Sequence, residues 1–401
     1  MATKKILTRD FVLSFFAQFT FSSVFSILIP TIPIYLSRMG AKEAEIGVLV
    51  GAFSVSSLLL RPLVGRALLK IPERRFMIAG ALFYTLSSIA YLVAPPFWPL
   101  LAVRVFQGIG LALFSTASFT LVANITPETH RGQIISYFYL SINFAFALAP
   151  YFGMLLINQF DFPFNFQLLF LVSTGLSLCC LFITLKLKKM QGVPLVDPSS
   201  QKQPFLSREA LPPAIIAFLI TITWGALTAF FPLYALSQGV DNPGLFFAAF
   251  AITLILARGF GGKIVDLYAR EKIMFPCLFT LVISMAILAF SSTLPMFILV
   301  AIIWGMGTAF LYPSLVAYTL DRAGSSRGPA MGTFTALTDL GAGMGSVIMG
   351  IILQLTNYPI MFLCLALTGV INLLYFHFFV RRKPQNLLSR ALGGPLCRGQ
   401  G

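Results

Sequence analysis

The chain has 401 residues, of which 58% are hydrophobic and only 10% are charged, and its formal net charge is +15. Soluble domains are about 45–50% apolar and about 25% charged, so this composition excludes an ordinary soluble enzyme. It also excludes a disordered chain, which would leave this apolar surface in water. A polytopic membrane protein remains as the class that fits.

Twelve apolar segments follow one another along the chain, and each is long enough to cross a bilayer as a helix, which needs about 20 residues. They lie at 11–36, 46–69, 76–94, 98–123, 133–157, 164–186, 211–236, 243–266, 272–291, 295–319, 329–355 and 358–380. We therefore predict an all-α membrane protein with twelve transmembrane helices in two pseudo-symmetric halves. The halves are 1–186 and 211–383, joined by a cytoplasmic linker at 187–210 and followed by a cytoplasmic tail at 384–401.

The positive charge falls mainly on alternate loops. The predicted loops on one side of the membrane contain only Arg38 and Lys42, whereas those on the other side contain most of the remaining Lys and Arg. Cytoplasmic loops of membrane proteins are enriched in these residues, so we expect both termini in the cytoplasm. This pattern accounts for the basic charge, and we expect no nucleic-acid partner.

The two halves repeat in parallel. Arg61 and Gly65 recur as Arg258 and Gly262 at an offset of 197 residues, on corresponding segments. Parallel repeats are related by an axis along the membrane normal, and the binding site of such proteins lies between the repeats near mid-membrane. The repeat therefore predicts a central site between the halves.

Four local patterns stand out along the chain, and the second is the echo of the first in the other half. They read RPLVGRALLKIPERR at 61–75, RGFGGKIVDLYAREK at 258–272, RVFQGIGLA at 104–112 and ALAPYFGM at 147–154. With these patterns the chain resembles the major facilitator superfamily, and in particular its bacterial drug and metabolite proton antiporters. The resemblance spans about 10–383 and implies a secondary transporter with alternating access.

The resemblance also implies gating and packing residues. In the loop pattern after the second segment they are Gly65, Arg74 and Arg75, and in its echo they are Gly262 and Asp266. A glycine lets two helices approach closely, and a carboxylate at a helix N-terminus is a suitable latch for the cytoplasmic gate. For the two arginines, a role in membrane topology alone is the alternative.

The fifth segment resembles the antiporter signature. It has Pro150 and Gly153, with alanines where the signature has other glycines. Small residues allow close packing, and proline kinks a helix. The resemblance favours export, and the alternative is an ordinary kinked packing helix.

Two charged residues lie inside predicted segments. Arg104 is about 6 residues into the fourth segment and Asp339 about 11 residues into the eleventh. A charged residue inside a span costs about 2.5–3.5 kcal/mol or more unless it faces water or a partner. The resemblance implies proton coupling for such an arginine, so we predict that Arg104 and Asp339 couple transport to protons. The alternatives are contact of Arg104 with lipid headgroups and a structural hydrogen bond for Asp339.

The resemblance implies that segments 1, 4, 7 and 10 line the central cavity. Its predicted lining is mostly apolar and aromatic: Gln18, Phe21, Phe25, Gln107, Phe114, Trp224, Thr228, Phe231, Trp304 and Tyr312, with Asn143 on the fifth segment. Such a lining suits an amphiphilic or aromatic substrate oriented by a few hydrogen bonds. Helix packing is the alternative role for each aromatic residue.

These observations predict an exporter of small amphiphilic compounds driven by proton antiport. The sequence has no Walker loop, nucleophile elbow or zinc motif, so we expect no enzyme, cofactor or metal. We expect a monomer in a bacterial inner membrane, with the lipid bilayer, protons and a small molecule as its partners. The alternatives are a dedicated exporter of one endogenous metabolite (a metallophore, sugar or amino-acid derivative) and a lipid or lysolipid transporter.

Overall fold

The computed structural model describes residues 8–68, 70–95, 97–126, 131–188, 207–261, 270–323 and 327–380. Within these ranges the chain forms twelve α-helices, and each overlaps one predicted segment, so the twelve-helix fold is confirmed. They are α1 Arg9–Arg38, α2 Glu43–Ala67, α3 Glu73–Ala90, α4 Trp98–Ile125, α5 Arg131–Gln159, α6 Phe164–Leu185, α7 Leu211–Ser237, α8 Gly244–Gly261, α9 Arg270–Leu288, α10 Leu294–Ala323, α11 Arg327–Leu355 and α12 Tyr358–Tyr375. A 3-10 turn at Arg208–Ala210 precedes α7, and a π-helical turn at Phe376–Val380 follows α12.

Most of these helices have the length and apolarity of membrane spans. In the described part of the chain, ten are long and apolar enough to cross a membrane, and Gly244–Gly259 forms a shorter apolar helix. The remaining helix, α3, begins earlier than its predicted segment because Glu73 opens its first turn, where a negative charge is stabilised by the helix dipole. Pro72 is its N-cap residue, and Glu73 accepts a hydrogen bond from Asn124 of α4.

The two six-helix halves pack in the same way. In the first half α1 contacts α5, α2 contacts α4, and α3 contacts α4 and α6; the equivalent pairs in the second half are α7–α11, α8–α10, α9–α10 and α9–α12. The halves meet through α2–α11 and α5–α8, two contacts that the repeat relates to each other, and through α1–α7. The pseudo-symmetry predicted from the repeat is therefore present in the fold.

One end of the bundle holds the ends of α6 and α10 and the starts of α1 and α7, and we call it the linker end. There the backbone amide of Lys188 donates to the carboxylate of Asp10 at 3.5 Å. The Arg322 guanidinium donates to the Glu209 carbonyl at 3.1 Å. These contacts bring the helix ends next to the linker together at one end of the molecule.

The halves are joined by hydrogen bonds at the other end, which we call the opposite end. The Ala44 amide at the start of α2 donates to the Gln354 side chain near the end of α11 at 3.3 Å. The Asn158 side chain near the end of α5 donates to the Asp241 carbonyl just before α8 at 2.8 Å. The two symmetry-related helix pairs α2–α11 and α5–α8 are thus linked by hydrogen bonds at this end.

Glycines bring the backbones of the two halves together toward the opposite end. A Cβ atom added to Gly51 of α2 would lie 2.6 Å from the Gly343 carbonyl oxygen of α11. One added to Gly244 of α8 would lie 2.5 Å from the Pro150 carbonyl oxygen of α5. Real Cβ atoms do not come this close to other atoms, so the absence of a side chain permits both contacts.

The same helices are not packed in this way toward the linker end. An added Cβ at Gly65 of α2, Gly259 of α8 or Gly332 of α11 would have no atom within 4 Å. The close helix contact predicted at Gly65 is therefore absent from this structure, because the neighbouring helix is too far away. The predicted gating residues Gly262 and Asp266 lie outside the described residues.

Candidate substrate and proton site

A cavity of about 430 Å³ lies between the two halves, and we call it the main cavity. Residues of α1, α2, α4, α5, α7, α8, α10 and α11 line it, mostly at mid-helix and on the linker side of mid-helix. Six of the predicted lining residues are among them: Gln18, Phe21, Phe25, Trp224, Trp304 and Tyr312. The structure thus places the cavity at the depth and position that the repeat predicts.

An ion pair joins the halves inside the main cavity. Arg61 Nη1 of α2 lies 3.1 Å from Asp339 Oδ2 of α11, and both residues line the cavity. Their side chains are 32% and 19% exposed, so neither is fully buried. The sequence singled out Asp339 as an intramembrane carboxylate and predicted no charged partner for it, and the structure places Arg61 beside it.

Arg104 is buried within the first half. Its Nε donates to the Leu49 carbonyl at 3.1 Å, and its Nη1 donates to the Gln107 side-chain oxygen at 2.9 Å. The same oxygen accepts a hydrogen bond from the Tyr91 hydroxyl at 2.9 Å, and the guanidinium lies 5.0 Å from the Phe53 ring centroid. With 7% exposure, Arg104 is held inside the protein and does not reach the lipid headgroups.

A smaller cavity of about 50 Å³, which we call the deep pocket, extends the main cavity toward the opposite end. Arg104 and Thr228 line it, together with residues from the opposite-end halves of α1 and α2. Five residues line both cavities: Phe25, Phe53, Ser54, Trp224 and Ala342. These shared residues place the deep pocket directly beside the main cavity, with Arg104 in its lining.

Aromatic rings form much of the wall contributed by the second half. The Trp304 ring lies nearly parallel to Phe250 and to Trp224, with centroids 4.3 and 5.7 Å away. Trp304 Nε1 is buried and has no hydrogen-bond partner among the described residues. The flat faces of these aromatic rings favour the burial of an aromatic or amphiphilic ligand.

Four predicted lining residues lie outside the linings of both cavities. Phe114 and Phe231 are fully buried between helices. The Gln107 side-chain oxygen accepts a hydrogen bond from Arg104. Asn143 follows Ile142, which does line the main cavity. One step along an α-helix rotates the side-chain direction by roughly 100°, so neighbouring residues face different surroundings.

The prediction also missed the helices that complete the cavity, because the resemblance pointed only to segments 1, 4, 7 and 10. Helix α2 contributes Ser54, Ser57 and Arg61, and Arg61 Nε donates to the Ser57 hydroxyl at 3.3 Å. These positions are three and four residues apart, which places them on one face of the helix. This polar stripe within an apolar segment is the sequence signal that would have identified α2 as part of the site.

Among the predicted gating and packing residues, Pro150 lies at the contact between α5 and α8 described above. Gly153 lies against α1 within the first half. Arg74 Nη2 donates to the Leu185 carbonyl at 2.6 Å, which ties α3 to α6, also within the first half. Arg75 belongs to the same first turn of α3. The structure therefore gives Arg74 a contact inside the first half.

Two pseudo-symmetric six-helix halves enclose a cavity that contains a charged pair. This arrangement defines a twelve-helix membrane transporter of small molecules. Comparison with known proteins gives the same class. The family model "Major Facilitator Superfamily" matches residues 14–249 and 214–396. The chain belongs to the major facilitator superfamily and is a transporter, not an enzyme.

Relatives match along nearly the whole chain. The staphylopine export protein of Staphylococcus aureus is 28% identical, over 89% of this chain and 92% of its own length. Multidrug resistance protein 2 of Bacillus subtilis is 24% identical, over 84% and 87%. The quinolone resistance protein NorA of Staphylococcus aureus is 22% identical, over 87% and 91%.

Solved structures match the fold. A mutant of the nucleoside transporter NupG superposes with a TM-score of 0.78 at 14% identity, over 92% of this chain and 99% of that one. A POT family transporter in complex with a thioalcohol-conjugated peptide has a TM-score of 0.76 at 12% identity, over 93% and 96%. At these identities the likeness shows the fold alone.

Proposed function

We propose that this transporter exports small amphiphilic compounds from the cytoplasm in exchange for protons, by alternating access. The observation that carries the proposal is the Arg61–Asp339 ion pair, which joins the two halves inside the main cavity. The named functions of the relatives, export and drug resistance, support the direction of transport. The aromatic wall supports the class of compound.

Asp339 is the proton carrier in this proposal. An ionisable residue inside a membrane span that faces a cavity marks a proton or substrate pathway. Binding of a proton neutralises the carboxylate and removes its Coulomb attraction to Arg61. Because this attraction acts between the two halves, the proton changes the free-energy difference between the conformations of the transporter.

We place the linker end in the cytoplasm of a bacterial inner-membrane protein. In the described part of the chain, Lys and Arg are concentrated at that end, whereas Arg38 and Lys42 lie at the opposite end. The positive-inside rule assigns the basic end to the cytoplasm. The described conformation then has its packed end outside and its cavity on the cytoplasmic side, where a substrate for export would bind.

Transport into proteoliposomes tests the role of Asp339. Asp339→Asn keeps the size of the side chain but cannot carry the proton, so we expect pH-gradient-driven transport of a fluorescent dye substrate to fall by about tenfold or more. Substrate exchange without a gradient should continue, because binding and alternation do not require the proton. Asp10→Asn is the matched control, since Asp10 lies at the linker end of α1 and should leave both rates unchanged.

The two assays together decide the proposal. Wild-type gradient-driven transport by Asp339→Asn would contradict the proton-carrier role of Asp339. Loss of both exchange and gradient-driven transport would instead indicate a structural role, which contradicts it equally.

A further inference from the structure

The charges that line the two cavities do not balance. In the main cavity, Arg61 and Asp339 offset each other. In the deep pocket, Arg104 is the one charged residue of the lining. Its hydrogen bonds in the described structure go to a backbone carbonyl and to the amide oxygen of Gln107, and neither acceptor has a negative charge. The deep pocket therefore has one uncompensated positive charge.

The groups around Arg104 add hydrogen-bond donors. The Gln107 side-chain oxygen accepts from both Arg104 and Tyr91, which fixes the orientation of the amide and leaves Nε2 as a donor. This Nε2 is buried and has no partner among the described residues, although Gln107 itself lies behind Arg104 and outside the lining of the deep pocket. Ser54 and Thr228 line the pocket, and the Thr228 hydroxyl already donates to the Gly225 carbonyl at 3.0 Å. No carboxylate is among the described lining residues. This arrangement is suited to an anionic acceptor.

We propose that the deep pocket binds a carboxylate group of the substrate, so that the transported compounds are aromatic or amphiphilic acids rather than lipophilic cations. The inference rests on the transport function proposed above and specifies its substrate class. A buried charge without a counter-charge is costly, and a bound carboxylate offsets that cost through charge-assisted hydrogen bonds. The volume of about 50 Å³ exceeds the roughly 30 Å³ that one water occupies and suits such a small group.

The deep pocket also places the bound group between the two halves. Its lining includes residues of α1, α2 and α4 from the first half, and Trp224, Gly225, Thr228 and Ala342 from the second. A carboxylate held at Arg104 therefore contacts both halves, while the aromatic body of the same ligand lies along Trp224 in the main cavity. Because the ligand contacts both halves, its binding affects the balance between conformations.

Calorimetric titration of the purified full-length protein tests this inference without any gradient. The probes are matched triplets, for example 2-naphthylacetate, its amide and (2-naphthylmethyl)trimethylammonium, with equivalent phenyl and indole sets. We expect the acid to bind about tenfold or more tightly than its amide, because a hydrogen bond to a charged group is at stake. The cation should bind most weakly.

Variants assign the preference to Arg104. Arg104→Gln should bring the affinity for the acid down to that for the amide while leaving the amide unchanged, and Arg104→Lys should restore part of the difference. Ser54→Ala should weaken binding of the acid by a few fold, and it tests the pocket without altering Arg104. Arg258→Gln is the matched control, since this membrane arginine lies outside both linings and should leave the order of affinities unchanged.

Two results would overturn the inference. One is that no acid in the panel binds more tightly than its amide to the wild-type protein. The other is that Arg104→Gln weakens acid, amide and cation equally, which would show that Arg104 only supports the fold. Failure of the proton-exchange proposal would appear separately, in the gradient-driven assay of Asp339→Asn.

Discussion

The two ends of the bundle are built from the same four helices, α2, α5, α8 and α11, and differ in how the halves meet. At the opposite end backbone lies against backbone, because Gly51 and Gly244 have no side chains. Toward the linker end the backbones are apart, and the long side chain of Arg61 spans the gap to Asp339. Close packing therefore closes one end, whereas charge links the halves across the cavity near the other.

The pseudo-symmetry is broken at the charged link. Arg258 is the counterpart of Arg61, but the counterpart of Asp339 at the same offset of 197 residues is Ile142. Arg258 instead donates from Nε to the Ala309 carbonyl at 3.4 Å. The charged pair is thus present at one of two equivalent positions. The packed end does not share this asymmetry, because Gly47 and Gly244 are equivalent and both lie against backbone of the other half.

The largest expected effect comes from breaking the packed end. Gly51→Val puts a branched side chain against the backbone of α11, and overpacking of this kind costs about 1–3 kcal/mol. The cost falls on the described conformation, so the population open at the opposite end should rise about 5-fold to 150-fold. It is measured by maleimide labelling of Ser54→Cys from each side of the membrane, in a protein whose five native cysteines are replaced.

Gly65→Val is the control in the same helix. An added Cβ at Gly65 would have no atom within 4 Å, so labelling from both sides should match that of the parent protein. Equal effects of the two substitutions would show that the difference in packing between the ends does not control access.

A smaller effect is expected from the charged link, measured by a double-mutant cycle of Arg61→Gln and Asp339→Asn. Pairs exposed to solvent contribute about 0.2–1 kcal/mol and breaking buried pairs costs about 3–5 kcal/mol. For this partly exposed pair we expect a coupling of about 1–2 kcal/mol in thermal unfolding. The loss of stability in the double variant should therefore be smaller than the sum of the losses in the two single variants. Strict additivity would show that the two charges do not stabilise the described conformation.

The smallest effect is expected at the hydrogen bond between Ala44 and Gln354. Gln354→Ala removes one bond at an exposed position, where water replaces it, so we expect a cost of about 0.5–1 kcal/mol. Labelling of Ser54→Cys from the side of the membrane that faces the opposite end should rise by about fivefold or less. Thr356→Ala is the control, because its hydroxyl bonds to the Ile352 carbonyl of its own helix. A larger effect of Gln354→Ala than of Gly51→Val would reverse the proposed order of the two contributions.

The sequence predicted the fold in detail and the site in part. Apolar runs of membrane-spanning length gave the twelve helices, and the repeat of Arg61 and Gly65 gave the two halves. At the site it identified Arg104 and Asp339 as unusual, because a charge within an apolar run is conspicuous. Of the predicted lining residues, Trp224 and Trp304 line the main cavity, whereas Phe114 and Phe231 are buried between helices.

What the sequence determined by itself is local: where each helix lies along the chain, because a bilayer requires about 20 apolar residues per span. Only the tertiary structure decided which face of each helix meets the cavity, and that Arg61, 278 positions before Asp339, is its partner. In an apolar helix every face is hydrophobic, so periodicity does not distinguish the face toward lipid from the face toward another helix. Packing between distant segments makes that distinction, and here it separates a packed end from a cavity with one unbalanced positive charge.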